Sequence, residues 1–168
     1  MPNSPEQFVI IGAGQAGFSI AAGLRKRNTD ALITIIGAEN SLPYQRPPLS
    51  KKFLLGELPA ERLLFKGQDW YDNQRINVIS NMDVCHIQRD SRYVACDDGT
   101  RISYDRLALA TGARARPLPT KTTGGAKNVF SLRTIEDILA IQPLMQAGKE
   151  TFDCWRWLYR LRSRSGCA

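Results

Sequence analysis

The sequence predicts an α/β fold in which helices cover a parallel β-sheet. An apolar run at residues 8–11 leads directly into Gly-Ala-Gly-Gln-Ala-Gly at 12–17, and a helical pattern follows at once. The next apolar run, at 31–36, is rich in β-branched residues, which is typical of a buried parallel strand. Residues 104–112 have the pattern of a further buried strand that ends in a glycine turn. Strand, helix and strand in this order form a βαβ unit, whose two strands run parallel.

The glycine pattern at 12–17 follows the strand and opens the helix, which is the context of a dinucleotide-binding fingerprint. Gly12 would allow the tight turn, Gly14 would let a pyrophosphate approach the backbone, and Gly17 would let helix and strand pack closely. The start of the helix would also offer unpaired N–H groups and a positive dipole end to phosphates. The alternative is a glycine-rich turn without a ligand, and the flanking strand and helix favour the fingerprint.

An acidic residue stands where a ribose ligand is expected. Glu39 follows the second strand, about twenty positions beyond the glycines, where a carboxylate usually accepts hydrogen bonds from a ribose. No basic residue stands beside it to bind a 2′-phosphate. The alternative is an exposed loop carboxylate.

The loop at 41–52 contains three prolines and three cations. A rigid loop of this composition is suited to placing charged groups against a ligand, although it could equally be a Pro-rich connector. The remaining predicted elements follow in chain order: helical patterns at 58–73 with Trp70 and Tyr71 packing, a strand at 76–79, an antiparallel meander at 84–88, 92–96 and 101–103, an extended segment at 129–132, and a helix with Thr134 as N-cap and Asp137 at the capping-box position, which Pro143 kinks or ends.

The composition indicates one globular domain without a nucleic-acid partner. The 168 residues suffice for one hydrophobic core. The formal net charge is +7, but the basic residues are spread along the chain, except for a dense group of arginines at 156–164. A spread positive charge attracts an acidic protein partner as well as it attracts a nucleic acid.

Metal-binding and membrane-spanning patterns are missing from the sequence. His86 is the only histidine, and no two of the four cysteines have C-x-x-C or C-x-x-x-x-C spacing. We expect no metal site, and we expect Cys85 and His86 to pack within a strand. The first residues lack signal-peptide character and no apolar run could cross a membrane, so a cytoplasmic, reduced protein is expected.

Taken together, the motifs resemble those of the FAD-dependent ferredoxin reductases, which serve haem monooxygenases and aromatic-ring dioxygenases. The resemblance covers about residues 8–149 and rests on GAGQAG at 12–17, LPYQRPPLSK at 42–51, DDGTRISYDRLALATGARARPLP at 97–119 and LRTIED at 132–137. It implies a Rossmann-like FAD-binding domain, here incomplete, with a parallel sheet, helices and an antiparallel meander. The related disulfide reductases carry a C-x-x-x-x-C pair after the second strand. The corresponding region here has no cysteine, so a thiol relay is not expected.

The resemblance also implies a set of cofactor contacts. It places Gly12, Gly14, Ala16 and Gly17 at the FAD pyrophosphate and Glu39 at the adenosine ribose. The further implied contacts are Arg46, Lys51 near the flavin, Val84 through its backbone at the adenine, Ala110, Thr111 and Gly112 closing the site, and Arg133. Without the resemblance, Lys51 and Arg133 would be interpreted as surface cations. No catalytic residue is implied within this chain.

Members of the resembled family bind NADH in a second Rossmann domain and pass electrons singly to a ferredoxin-type iron–sulfur protein. This chain has no second glycine fingerprint for NADH. We therefore expect a truncated form of an NADH:ferredoxin oxidoreductase. The alternative is a nucleotide-binding remnant without turnover. A third possibility, an NAD-binding or flavin-hydroxylase domain, is disfavoured by the P-P-L-S-K loop.

Residues 150–168 do not continue this pattern. We expect residues 1–149 to be the N-terminal part of the FAD-binding domain, followed by an atypical basic tail. Tryptophan has a single codon, and reading one base later turns Trp155 and Trp157 into glycines, which suits the opening of a second nucleotide fingerprint. The sequence therefore favours a frameshift near Lys149. The alternative is a basic amphipathic segment that binds a membrane or a nucleic acid.

Overall fold

The computed structural model describes residues 4–116, 124–126 and 129–145. The expected basic tail at 150–168 lies outside the described residues. The strands are β1 (Gln7–Ile11), β2 (Leu32–Ile36), β3 (Ile76–Ile79), β4 (Val84–Gln88), β5 (Tyr93–Cys96), β6 (Arg101–Ser103) and β7 (Arg106–Leu109). The helices are α1 (Gln15–Arg27), α2 (Gln68–Asn73) and α3 (Ile135–Ile141), with short helical turns at Leu49–Phe53, Ala60–Leu63 and Gln142–Leu144.

A parallel sheet with the strand order β3-β2-β1-β7 confirms the predicted α/β fold. Val9, Ile10 and Ile11 of the central strand β1 are buried. The strand that follows β1 lies on one side of it, whereas β7 lies on the other side. Strand β1 is therefore the point at which the strand order reverses, and ligands of α/β proteins bind at the carboxyl ends of strands at such a point.

Strand β7 is less buried than its pattern predicted. Leu109 is 64% exposed, and Leu107 is half-buried. Within the described part of the chain, β7 is an outer strand of the sheet, with β1 on one side only. A run of apolar residues therefore predicted the strand correctly but not its place at the edge.

The predicted meander is confirmed as an antiparallel sheet of order β4-β5-β6. Val94 of its middle strand packs against Val9 and Ile36 of the parallel sheet. Cys85 and His86 lie in strand β4, as predicted, but the expectation that they pack there was wrong, because both residues are exposed. The pairing of β4 with β5 is irregular between Val84 and His86, and such a bulge changes the direction of the side chains beside it.

Aromatic side chains join α1 to α2. The rings of Phe18 and Phe65 stack with centroids 4.8 Å apart, and those of Trp70 and Tyr71 meet edge to face at 5.2 Å. Phe18 also contacts both Trp70 and Tyr71. The predicted packing of Trp70 and Tyr71 is thus confirmed, and the helical patterns predicted at 58–73 form two short helical elements, Ala60–Leu63 and Gln68–Asn73.

A buried arginine fixes the end of α1. Arg25 is 8% exposed, and each of its five N–H groups donates to a backbone carbonyl. The acceptors, at 2.5–3.2 Å, belong to Asn28, Thr29, Ala31, Gln74 and Arg75. These bonds satisfy carbonyls beyond the helix end and tie the α1–β2 loop to the segment that enters β3.

The capping box predicted for α3 is confirmed. The backbone N–H of Asp137 donates to Thr134 Oγ1 at 3.2 Å, and the N–H of Thr134 donates to Asp137 Oδ2 at 3.0 Å. The helix ends at Ile141, and Pro143 lies in the turn that follows, as predicted. Residues 129–132 lead into this helix without joining a strand of the described structure. Among the described residues, no helix is long and apolar enough to cross a membrane.

Candidate functional site

Three groups of predicted cofactor residues follow three neighbouring strands of the parallel sheet. Ile11, Ile36 and Leu109 are in register at the ends of β1, β2 and β7. Beyond them, the N–H of Gly12 donates to the Ile36 carbonyl at 2.7 Å, and the N–H of Ala110 donates to the Ile11 carbonyl at 2.8 Å. The residues that follow these strands therefore lie side by side. We call this end of the sheet the carboxyl edge.

Two glycines are required at the carboxyl edge by close backbone contacts. Gly12 has φ +113°, and a Cβ atom there would lie 2.1 Å from the carbonyl oxygen of Ala110. A Cβ atom on Gly17 would lie 1.9 Å from the carbonyl oxygen of Gly12. The start of α1 thus packs directly on the turn that leaves β1, which brings the helix end to the carboxyl edge.

Gly14 is open rather than crowded. It is the N-cap of α1, and a Cβ atom there would meet no other atom within 4 Å. The first intrahelical bond runs from the N–H of Phe18 to the Gly14 carbonyl, at 3.0 Å. The preceding N–H groups of the first turn, which includes Ala16, have no intrahelical partner, and this turn contains no acidic residue. The space beside Gly14 therefore fits an anionic group such as a pyrophosphate.

Glu39 is held by two side chains from the Pro-rich loop. The hydroxyl group of Tyr44 donates to Glu39 Oε2, and Arg46 Nη2 donates to Glu39 Oε1. Burial and the hydrogen bond to Glu39 raise the pKa of Tyr44 above its ordinary value, so its phenol stays protonated. Arg46 Nη1 donates to the Arg133 carbonyl at 2.6 Å. The structure thus brings Glu39, Arg46 and Arg133 together.

Tyr44 was missed as a site residue by the sequence prediction. Its ring is 4% exposed, and an aromatic residue in a loop gives no signal of its own beyond core packing. The one available signal was its spacing of two from Arg46, because alternate residues of an extended segment point to the same side.

Arg133 has an unsatisfied buried nitrogen. Among the described residues, its Nε has no hydrogen-bond partner. Its Nη2 lies 3.7 Å from the place where a Cβ atom of Gly112 would be. A buried donor without an acceptor is costly, so this geometry fits a bound anion or another acceptor.

The remaining predicted residues lie at the start of β4, after β7 and in the Pro-rich loop. Val84 begins β4 just after two residues that bind the loop of Glu39: the N–H of Asn81 donates to the Glu39 carbonyl at 3.0 Å, and that of Met82 to the Gly37 carbonyl at 2.9 Å. Thr111 is exposed beside Ala110 and Gly112 after β7. Lys51 is also exposed and lies in the irregular helical turn Leu49–Phe53, with φ −126° and ψ −114°.

Over most of its length the chain matches a known protein family. Residues 6–150 match the family described as pyridine nucleotide-disulphide oxidoreductase. The chain is 40% identical over 142 residues to putidaredoxin reductase from Pseudomonas putida, covering 83% of this chain and 34% of the relative. It is 46% identical over 112 residues to rhodocoxin reductase from Rhodococcus erythropolis, covering 67% of this chain and 26% of the relative.

A solved structure supports the same relationship. The crystal structure of the covalent putidaredoxin reductase–putidaredoxin complex matches with a TM-score of 0.78 and 40% identity. The match covers 84% of this chain and 34% of that chain. The described fold is therefore also the fold of a segment of that longer protein.

Proposed function

The chain belongs to the pyridine nucleotide-disulphide oxidoreductase family, and on that basis we propose that its carboxyl edge binds the ADP portion of FAD in a ferredoxin reductase. The members of this family are FAD flavoproteins. Because the chain spans 34% of the putidaredoxin reductase to which it is similar, the activity of a whole reductase is part of the proposal.

One observation supports this proposal above the others, namely that three complementary groups converge at the carboxyl edge. The open glycine cap of α1 offers N–H donors, Glu39 offers a carboxylate, and Arg133 Nε offers a buried donor without a partner among the described residues. A nucleoside diphosphate has the matching chemistry, since its phosphates accept hydrogen bonds and its ribose hydroxyls donate them.

The proposed contacts follow from these positions. The first turn of α1, including Gly14 and Ala16, binds the pyrophosphate, while Gly12 and Gly17 let that turn pack against β1. Glu39 accepts from the ribose, and Val84 meets the adenine through its backbone. The remaining proposed contacts are Arg46, Lys51, Ala110, Thr111, Gly112 and Arg133.

Bound FAD would accept two electrons from a reduced nicotinamide and pass them one at a time to an acceptor. We propose that the reductant is NADH and that the acceptor is a ferredoxin-type iron–sulfur protein. The similarity of the chain to putidaredoxin reductase, including the structure of that reductase in complex with putidaredoxin, supports this acceptor class. The residues of this chain bind and orient the ADP portion of the cofactor. We assign the NADH site to a part of the reductase that is not in this sequence, which has a single G-x-G-x-x-G pattern.

A second candidate function is nucleotide binding without turnover. This candidate needs only the open start of α1, Glu39 and Arg133, which are the groups that the described residues supply. Both candidates require the same ADP-binding edge, and they differ in whether a completed reductase forms. Addition of the missing part as a separate polypeptide distinguishes them, since only the first candidate predicts NADH-dependent reduction of the acceptor.

A matched pair of glycine variants tests the shared site. A Cβ atom at Gly14 or at Gly23 of α1 meets no atom within 4 Å, so the first carbon of a side chain fits at both positions. We expect Gly14→Leu to abolish FAD binding, because the side chain would fill the pyrophosphate space, and Gly23→Leu to retain it. Titration of each purified variant with FAD, monitored by flavin fluorescence, measures both affinities. Equal affinities of the two variants would contradict the proposed site.

A further inference from the structure

We infer that Tyr44 is a positioning residue that sets the selectivity of the site for a ribose with both of its hydroxyl groups. This inference rests on the proposed function, because it concerns how Glu39 recognises the ADP portion of the cofactor. Tyr44 would act through Glu39 rather than by touching the ligand itself. Its role is therefore separate from the contacts proposed for Glu39 and Arg46.

The position of the Tyr44 hydroxyl is fixed by its surroundings. The ring is buried in a cluster that includes Leu63, Ile135 and Ile138. The backbone on either side is hydrogen-bonded to a neighbouring segment. The N–H of Gln45 donates to the Leu63 carbonyl at 2.9 Å. The N–H of Phe65 donates to the Pro43 carbonyl at 3.0 Å. A side chain held in this way cannot follow Glu39 if that carboxylate rotates, so Glu39 must orient to meet the hydroxyl.

The hydrogen bonds determine the direction in which the phenol donates. The Glu39 carboxylate, which pairs with Arg46, accepts at Oε2, so the Tyr44 hydroxyl proton points at that oxygen. Arg46 Nη1 lies 3.3 Å from the Tyr44 oxygen and donates to it, and the Arg46 guanidinium lies over the Tyr44 ring, 5.2 Å from its centroid. The three side chains therefore form one arrangement in which, among the described residues, each oxygen of Glu39 has one donor.

The carboxylate retains capacity for a ligand. Two carboxylate oxygens together accept about four hydrogen bonds, and Tyr44 and Arg46 supply two of them. The side chain of Glu39 is 25% exposed, which leaves the carboxylate accessible from outside the loop. One acceptor site on each oxygen is what a ribose with adjacent 2′ and 3′ hydroxyls requires. Without the Tyr44 hydroxyl, Arg46 alone would hold one oxygen, and the carboxylate could rotate about that contact.

The experiment compares ADP with 2′-deoxy-ADP on the full chain by isothermal titration calorimetry. In the wild type, we expect ADP to bind more tightly than the deoxy analogue. In Tyr44→Phe, we expect ADP affinity to fall about tenfold while the affinity for 2′-deoxy-ADP changes much less, so that the selectivity ratio shrinks. Tyr71→Phe is the matched control. It removes another buried phenol hydroxyl, one without a partner among the described residues, and it should leave the ratio unchanged.

A double-mutant cycle shows whether Tyr44 acts through Glu39. Once Glu39 is replaced by Gln, the further change Tyr44→Phe should no longer alter the ratio of the two affinities. Circular dichroism of each variant confirms that the fold is retained. If Tyr44→Phe lowers the affinity for both nucleotides equally, or leaves the ratio as in the wild type, Tyr44 is only a packing residue and the inference is wrong. If the wild type binds neither nucleotide, the proposed function itself is wrong.

Discussion

At the scale of single residues, Gly12 combines a positive φ with a close backbone contact at the carboxyl edge. Its φ of +113° is unfavourable for a residue with a side chain, and a Cβ atom would also lie 2.1 Å from the Ala110 carbonyl oxygen. We expect Gly12→Ala to lower the free energy of unfolding by about 3 kcal/mol or more, because β7 and the turn must separate. Urea denaturation of the purified variant measures this loss.

Gly56 provides the control for Gly12. It also has a positive φ, +72°, but a Cβ atom there meets nothing within 4 Å. Gly56→Ala should therefore lower the free energy of unfolding only by the cost of a positive φ for alanine, about 1–2 kcal/mol. Similar losses for the two variants would show that the contact between Gly12 and Ala110 has no energetic weight.

Tyr71 offers a second prediction at this scale, and it has the opposite sign. The residue is fully buried, and its hydroxyl has no hydrogen-bond partner among the described residues. We expect Tyr71→Phe to raise the free energy of unfolding by about 1 kcal/mol at neutral pH, because an unsatisfied buried hydroxyl is costly. Thermal or urea denaturation at pH 7 measures the change. A variant less stable than the wild type would contradict this expectation.

The same residue predicts a dependence on alkaline pH. Burial raises the pKa of Tyr71 to about 12, whereas an unfolded tyrosine ionises near about 10. The contribution of the neutral phenol to the free energy of unfolding is fully present below about pH 10 and is lost as the pH rises toward about 12. Between pH 9 and pH 11 the wild type should therefore lose more stability than Tyr71→Phe, and parallel curves for the two proteins would refute the assignment.

At the scale of elements, Arg25 connects the end of α1 to the start of β3. Each of its five N–H groups donates to a backbone carbonyl, so the side chain satisfies carbonyls that no strand or helix pairs. We expect Arg25→Met to lower the free energy of unfolding by about 3 kcal/mol or more, since buried carbonyls would lose charged donors. Arg27→Met, at an exposed position of the same helix end, should change stability by less than about 0.5 kcal/mol. Urea denaturation of both variants decides the prediction, and equal effects would contradict it.

The elements themselves were largely predictable from local patterns, whereas their connections were not. Alternating residues predicted the meander, and Thr134 with Asp137 predicted the capping box, because both patterns act within a few residues. The role of Arg25 could not be predicted, since a cation in the last turn of a helix is ordinarily exposed. Its burial depends on residues that lie about fifty positions further along the chain.

In the candidate site, too, local features could be predicted from the sequence, whereas contacts between distant segments could not. The fingerprint at 12–17 predicted a turn against a helix, and the structure shows that turn packed on Ala110. The contacts of Glu39 with Tyr44 and Arg46 could not be predicted from the sequence, because they depend on the path of a Pro-rich loop. Nor could the unsatisfied nitrogen of Arg133, because it depends on how α3 packs against that loop.

At the scale of the whole molecule, the chain spans 34% of the length of the putidaredoxin reductase that it matches. Its single glycine fingerprint is assigned to FAD, so we expect the isolated chain to lack NADH-dependent reduction of a ferredoxin. Steady-state reduction of the acceptor, with free FAD as the background, measures this. Turnover clearly above that background would show that this chain contains a nicotinamide site of its own.

The central claim is that the carboxyl edge binds FAD through its ADP portion, and one measurement tests it most directly. The purified chain is incubated with an equimolar mixture of FAD and FMN, separated from free flavin and denatured, and the released nucleotide is quantified by chromatography. The proposed site predicts release of FAD, because FMN lacks the adenosine that Glu39 and Val84 would recognise. Recovery of stoichiometric FMN, or of no flavin at all, would contradict the claim.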